Sequence, residues 1–278
     1  MDAEEHSGIT VSYGIIDPGY AARLATTPPD QDGPVWMVNL MSYRERARYA
    51  DGRETSLTGR EADDLYAPLG PLAAVGAEVV LFADVEAQFL QAEPRWDRVA
   101  VVKYPARKAF IDMQSLPEFA ALHEHKEAGM ERTIIAGCLP MAAPVAPAGL
   151  EVPAWADVPH PPAPQDGPVE VLHLLRFREG SYGQMQAYTA HATGVAVRHG
   201  VRIGGWFGVE GTVVGDGRGW DQARFNAFPS KAAFMAVVLD PDRLAAQARH
   251  REVAIADTYT LVLRPAVDRL AASLAGSG

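Results

Sequence analysis

One cysteine, Cys138, stands in 278 residues, and it falls in an expected strand after Gly137. It excludes an internal disulfide framework and a thiolate zinc cluster, and reads as inert core. No basic tail or stripe is present: Lys plus Arg number 25 against 35 Asp plus Glu, a formal net charge of −10. A duplex or an anionic membrane would repel such a surface, so neither nucleic acid nor membrane is an expected partner. No apolar run approaches the roughly 20 residues needed to span a bilayer. Met1 to His6 is acidic and leads into no signal-peptide core. GxSxG, P-loop and HExxH motifs are missing. Gly215-x-Gly217-x-Gly219 lies between two expected strands, where a hairpin turn fits and a dinucleotide fingerprint does not. What remains is a soluble, cytoplasmic globular chain, 48% hydrophobic and 22% charged. Its length suits about two domains.

The chain is written twice. Gly33-Pro34-Val35 returns as Gly167-Pro168-Val169, 134 residues later. Trp96-Asp97, Pro105, Phe110 and Pro117 return as Trp220-Asp221, Pro229, Phe234 and Pro241, each at a spacing of 124. The ten-residue difference places an extra segment around Tyr49 to Gly59 in the first copy only. Both copies read alike. A strand (Val35–Leu40; Val169–Leu174) leads to a helix (Gly59–Val75; Ser181–His199) ending at a glycine, Gly76 or Gly200, suited to a C-cap. Two strands follow (Ala77–Val85 and Arg98–Tyr104; Val201–Val214 and Gln222–Phe228), then a second helix and a last strand (Arg132–Leu139; Asp257–Leu263). Ser115-x-x-Glu118 with Pro117 has capping-box spacing at the start of the first copy's second helix.

The order βαββαβ is the ferredoxin-like unit. The expected fold class is therefore α+β, with two ferredoxin-like repeats fused and packed sheet to sheet as a pseudo-dimeric barrel, since a lone unit leaves an apolar sheet face uncovered. The boundaries read as an N-terminal extension 1–32, a first repeat 33–140, a Pro-rich linker 141–166, a second repeat 167–265 and a tail 266–278. Eight prolines from Pro140 to Gly167, Pro140 included, exclude a regular helix or central strand there. Ile9–Ile16 reads as an added strand and Asp17-Pro18 as a helix start. The fusion supplies internally the contact that separate copies would make. An internal pseudo-dimer is expected, as a monomer or as a higher homo-oligomer through another surface.

Asn39-Leu40-Met41-Ser42-Tyr43, Tyr49-Ala50-Asp51-Gly52-Arg53-Glu54, Thr58-Gly59-Arg60-Glu61-Ala62 and Trp96-Asp97-Arg98-Val99 resemble a dimeric α+β barrel family known mainly as a domain of unknown function. The likeness covers most of Gly33–Pro140, and more weakly Gly167–Pro265. That family is related to antibiotic-biosynthesis monooxygenases, and its wider superfamily includes polyketide cyclases, muconolactone isomerases and heme proteins such as chlorite dismutase. The fused two-copy layout is also similar to the oxygenases that open a ring of angucycline-type polyketides. The resemblance implies an oxygenase of aromatic, polyketide-like small molecules, using O₂ with reduced flavin (FMNH₂ or FADH₂) delivered by a flavin reductase, or with no cofactor. A cofactor-free cyclase or isomerase and a non-catalytic ligand-binding or stress-response barrel are the alternatives.

The residues themselves offer several candidates. Asn39 and His173 take equivalent places in the first strands, in register with apolar neighbours, where a polar side chain needs partners. Each is a site residue or a strand-end group that satisfies nearby backbone. Tyr188 and His191 are three apart on one helix, suited to orienting and deprotonating a phenol or enol, or to packing with their polar tips outward. Tyr66 sits in the comparable helix. His123 and His125 point about 200° apart and cannot share a metal. His125 reads as a general base or as part of a solvated, charged face, with Arg132 following it. Trp206, Phe207, Trp220 and Phe225 form an aromatic wall or plain core. Arg224 alternates with Asn226, opposite to Phe225, and suits an anionic oxygen. The expected catalytic set is His173, His191 and Tyr188, with Asn39, Tyr66, His125, Arg132, Trp206 and Arg224 binding substrate and no metal. The copies have diverged, with Asn39 against His173 and His125 against Arg249, so the two clefts differ in lining and either could be the catalytic one.

Overall fold

A computed structural model describes residues 9–275, and the acidic Met1–His6 stretch lies outside them. A hairpin of β1 (Ile9–Val11) and β2 (Gly14–Ile16) leads into α1 (Pro18–Thr26), where the Asp17 carboxylate accepts from the Gly19 and Tyr20 amides as an N-cap. The first half runs β3 (Val35–Tyr43), α2 (Gly59–Leu65), α3 (Leu69–Ala74), β4 (Glu78–Phe89), β5 (Arg98–Tyr104), α4 (Arg107–Gln114), α5 (Pro117–Gly129) and β6 (Met130–Pro140). The second runs β7 (Val169–Phe177), α6 (Tyr182–Arg198), β8 (Arg202–Gly215), β9 (Gln222–Phe228), α7 (Lys231–Leu239) and α8 (Pro241–Ala246). A π turn (Gln247–Arg251), α9 (Glu252–Ala254), β10 (Ile255–Asp268) and α10 (Leu270–Leu274) complete it.

Eight strands close into an antiparallel barrel in the order β8-β6-β3-β5-β4-β10-β7-β9, with β9 returning to β8. The expected covering of one sheet by another takes the form of closure. The halves join edge to edge through β4–β10 and β6–β8, which leaves no unpaired edge in the ring. Strand alternation sends Trp36, Val38 and Leu40 of β3 and Leu172 and Leu174 of β7 inward, into one core with Phe207, Phe225 and Tyr259. The barrel interior is therefore packed solid. The opposite faces of the same strands look toward the helices.

The repeated sequence motifs do the same structural work in each half. The Asp97 backbone amide donates to Met41 O at 2.8 Å while its carboxylate accepts from the Tyr43 amide at 2.8 Å. Asp221 likewise donates to Leu175 O and accepts from the Phe177 amide. Trp96 and Trp220 flank Tyr259 with ring centroids 5.5 and 5.4 Å away. Asp32, just before Gly33-Pro34, accepts from the Arg107 and Lys108 amides at the start of α4, and Asp166 accepts from Lys231 and Ala232 at the start of α7. Gly76 and Gly200 have the positive φ expected of C-cap glycines, 71° and 72°.

Two expectations are corrected. The single helix expected over residues 59–75 is two, because Tyr66 ends α2 and Pro68 precedes α3. Ser115-x-x-Glu118 is not a capping box. An unforeseen helix, α4, uses Ser115 as its C-terminal cap, and α5 begins after Leu116 with no side-chain cap. Of the wall-or-core alternatives, Phe207, Trp220 and Phe225 take the core, and Trp206 alone of the four faces the helices. The Pro-rich linker carries only a 3₁₀ turn at Trp155–Asp157 and one isolated bridge, Ala163 to Asp166. Gly215-x-Gly217-x-Gly219 is the β8–β9 turn, with Gly217 at φ 81°.

The N-terminal extension closes the first half. Tyr20 and Leu24 of α1 are buried, and the Tyr20 ring lies where a Cβ at Gly137 or Gly211 would overlap it. Its hydroxyl donates to Glu210, which also pairs with Arg107. Cys138 is fully buried in β6, and burial raises its thiol pKa far above the ordinary value.

Candidate functional site

A cavity lies between barrel and helices in each half. The second-half cavity encloses about 340 Å³, within the ordinary range for small-molecule sites. Its floor is a row of cross-strand partners. Thr260 of β10 faces His173 of β7, His173 faces Arg224 of β9, and Arg224 faces Trp206 of β8. Its roof is α6, which contributes Met185, Tyr188, Thr189 and Thr193. α7 and the α8–π-turn segment supply Phe234, Arg243 and Arg251.

The chemistry of this cavity is asymmetric in charge. Four arginines line it (202, 224, 243 and 251) and no carboxylate does. Arg224 donates to Gln222 Oε1 at 2.8 Å and Thr189 Oγ1 at 3.1 Å, and its guanidinium lies 4.2 Å from the Trp206 ring centroid. Arg243 donates to Val238 O and to Tyr188 Oη, the latter at 2.9 Å. The Arg251 guanidinium has no hydrogen-bond partner among the described residues, although it is only 8% exposed. Among those residues, no carboxylate lies within 4 Å of the guanidinium of Arg224, Arg243 or Arg251. A buried cation without a counter-ion is costly, and a bound anion relieves that cost. Burial and the neighbouring Arg251 bring Arg224 down to about 10, and burial lowers Arg251 as well.

His173 is the basic group of this row. Its Nδ1 lies 3.0 Å from Thr260 Oγ1, which leaves Nε2 to serve the cavity. Burial first, then the charges of Arg251, Arg224 and Arg243, drive the imidazole down to about 3. It is therefore neutral at physiological pH, and it takes up a proton only where an anion forming beside it offsets the arginine charges. Tyr188 completes the group, tied to Arg243.

The first-half cavity, about 390 Å³, has a different lining: Asp63, Lys126 and Glu127 with Tyr13, Tyr66, Tyr104, His123 and Asn39. Asn39 donates to Met37 O at 2.9 Å, so its amide is largely committed to backbone. Tyr66 packs edge-on against Phe119 and His123. Tyr13 Oη lies 3.3 Å from His123 Nε2, and burial followed by the Lys126 charge lowers His123 to about 4.

Of the nine residues expected at a site, the structure gathers His173, Tyr188, Trp206 and Arg224 in the second cavity and Asn39 and Tyr66 in the first. The other three lie elsewhere. His191 turns to the outer face of α6, stacked 5.8 Å from His250, with Nδ1 on Ala187 O. Residues three apart on a helix differ by about 60° in direction, and that suffices to send Tyr188 inward and His191 out. His125 binds Tyr49 Oη at 2.7 Å on the outside of α5, and its helix neighbour His123 takes the cavity side. Arg132 is exposed on β6. Sequence reasoning missed Arg243, Arg251, His123 and Lys126. For the two arginines no periodic signal existed, because a π turn interrupts the helix that carries Arg251. For His123, the 200° separation from His125 already required one of the two to face inward.

Among the described residues, no cluster of three or more His, Cys, Asp or Glu could hold a metal ion, and no helix is long and apolar enough to cross a membrane. No family model and no curated protein sequence matches the chain. Among solved structures it is similar to RPA0582, a protein of unknown function from Rhodopseudomonas palustris, with 31% identity over 46% of this chain and 96% of that one, at a TM-score of 0.40. It is also similar to an anthrone oxidase-like protein, with 14% identity over 87% of this chain and 97% of that one, TM-score 0.48. A chlorite dismutase from Candidatus Nitrospira defluvii aligns at 12% identity over 88% and 94% of the two chains, TM-score 0.49.

Proposed function

We propose that the second-half cavity is the active site of an enzyme acting on an aromatic, polyketide-like small molecule that carries an acidic oxygen. The observation behind this reading is a neutral imidazole set beside buried arginines that lack carboxylate partners, in an otherwise apolar cavity. With Nδ1–H donating to Thr260 Oγ1, His173 Nε2 takes a proton from a phenol or enol. Arg224, Arg243 and Arg251 then stabilise the oxyanion that forms, in a low-dielectric site where such charges act strongly. Tyr188 orients the oxygen, and Trp206 and Phe228 lie against the ring system. We read the two halves as ferredoxin-like copies of which the second kept the chemistry.

The electron-rich carbon of a deprotonated phenol or anthrone is what molecular oxygen attacks, so oxygenase is the reaction class we favour. Reduced flavin would suit the same lining in turn with the substrate, its phosphate taking the arginines that otherwise face the substrate oxygen and its flat ring the apolar walls. Bound there, it would supply electrons to oxygen. The chain's own residues would hold its phosphate, exclude water and move the substrate proton.

Product mass by liquid chromatography and mass spectrometry tests the reading. Polycyclic phenols and anthrones are offered in air, with and without a flavin reductase supplying reduced flavin, beside a His173→Ala chain. Gain of one or two oxygens that depends on His173 supports the oxygenase. Loss of water, or a product of unchanged mass, reassigns the site to a cyclase or isomerase. No conversion, together with no ligand-induced rise in melting temperature, leaves a non-catalytic barrel.

A further inference from the structure

The first-half cavity contains a group for which that reading has no use. The sequence has four lysines. Lys103 donates to Ser273 O, Lys108 pairs with Asp112, and Lys231 with Glu86. Lys126 of α5 lines the cavity, is 8% exposed, and has no hydrogen-bond or ion-pair partner among the described residues. Its Nζ lies 5.2 Å from the Tyr66 ring centroid. The carboxylate best placed to hold it as a cation is already engaged elsewhere: Asp63 accepts from Tyr43 Oη at 2.5 Å and from Arg98 at 3.3 Å. Burial lowers the Lys126 pKa below the usual amine range, with the Asp63 charge opposing it in part.

We propose that the first cavity is a second reactive site, in which Lys126 Nζ condenses with the carbonyl of an uncharged aromatic aldehyde or ketone to form an imine. The rings of Tyr66, Tyr104, Phe110 and Phe119 provide the aromatic lining, and a volume of about 390 Å³ admits a bicyclic molecule. Asp63 and Glu127 in the same wall select against an acidic ligand, in contrast to the second cavity. The step is a condensation without oxidation or reduction. The Nζ lone pair adds to the carbonyl carbon, a C–N bond forms, and the carbonyl oxygen leaves as water with the two hydrogens of the amine. The neutral His123 imidazole, joined to Tyr13 Oη, is placed to carry those protons between nitrogen and oxygen.

The full chain is incubated at neutral pH with 2-naphthaldehyde and sodium cyanoborohydride, which reduces an imine to a stable secondary amine, and each lysine is then quantified by peptide mass spectrometry. Lys126 should be labelled at least tenfold faster than the exposed Lys108 of the same molecule, and pre-incubation with 2-methoxynaphthalene, an uncharged bicycle without an acidic oxygen, should slow Lys126 alone. Lys126→Arg, which keeps a cation but cannot form the imine, should lose that label and leave those at Lys108 and Lys231 unchanged. Equal or slower labelling of Lys126 relative to Lys108 in the unaltered chain overturns the proposal, with no need for any variant to fold. Turnover at His173 is read separately, so either site can fail without the other.

Discussion

The two halves of this barrel repeat the same local motifs and carry opposite electrostatics. In the first cavity one lysine sits with two carboxylates, while in the second four arginines sit with none. At matching positions of the first strands, Asn39 turns its amide back to backbone, whereas His173 is held by a neighbouring threonine with a ring nitrogen to spare. Both cavities are of similar size and both lie on the helix side of a solid barrel, so volume does not separate them. Charge and commitment do. A polar group whose hydrogen bonds are spent locally maintains the fold, and one left with unused valence is available to a ligand.

The sharpest way to break the comparison is to exchange the groups that carry it. His173→Gln keeps a hydrogen-bonding side chain and removes the base, and it should lower turnover by about 10²–10⁴-fold. Asn39→Ala should change turnover less than about threefold, since additivity holds for distant sites. Equal losses would mean that both cavities serve one reaction. The pH profile adds a second check. Because the folded imidazole titrates near 3, the acid limb of kcat/KM should fall well below the 6.5 of a free histidine.

The next contrast lies inside the barrel. Glu170 of β7 takes the place that Trp36 holds in β3, 3% exposed, with Oε2 unpaired. Gly204 leaves its carboxyl room that a Cβ would fill. Burial, with the Asp268 charge adding to it, pushes its carboxyl up to about 8 from an ordinary 4.5. A group whose folded pKa is raised contributes stability below its unfolded pKa, and this is lost as pH rises toward the folded one. Glu170→Gln keeps the neutral shape, so its stability gain over the unaltered chain should grow between pH 4.5 and 8, by at most about 1.4 kcal/mol per pH unit. Melting temperatures of both chains at pH 5 and pH 8 check this. A gain that does not change with pH would mean that Glu170 is ionised in the fold.

A smaller effect separates the helices. Gly59 of α2 and Gly129 of α5 touch so closely that a Cβ at either would overlap the other's carbonyl. A Cβ at Gly183 in α6 would meet nothing within 4 Å. Gly59→Ala should therefore cost about 2 kcal/mol through overpacking. Gly183→Ala should be neutral or stabilise by up to about 1 kcal/mol through helix propensity. Chemical denaturation of both variants decides it.

The plan of the barrel was legible in the sequence because its motifs are local and paired. Gly33-Pro34-Val35 and Gly167-Pro168-Val169 open the first strands, Trp96-Asp97 and Trp220-Asp221 pin strand ends, and strands β5 and β9 fall where the pattern sets them. Arg224 and Asn226 opposite to Phe225 were legible for the same reason, since alternation along a strand fixes which face a residue takes, whereas grouping Trp206 with its strand neighbour Phe207 runs against that rule. The helical half of the site was not. Arg251 projects from a π turn and Arg243 from a six-residue helix, where a 3.6-residue period gives no direction. Tyr188 and His191 straddle the boundary between the buried and open faces of α6, where a rotation of a few tens of degrees decides the outcome.

That boundary also decides the segment present in the first half alone. Tyr49, 8% exposed, reaches from this segment to His125 Nδ1 at 2.7 Å, and Arg53 lies 3.6 Å over its ring while pairing with Glu124. The segment thereby covers the outer face of α5, opposite to the face that carries His123 into the cavity. His125 is committed to holding that cover in place, which accounts for its absence from the site. If so, Tyr49→Phe removes one partly buried hydrogen bond and should cost about 1 kcal/mol of stability. Turnover in the second cavity and labelling of Lys126 should both stay within about twofold of the unaltered chain. A large drop in Lys126 labelling would show instead that the cover sets the position of α5, and that the first half gained its segment to shape a cavity.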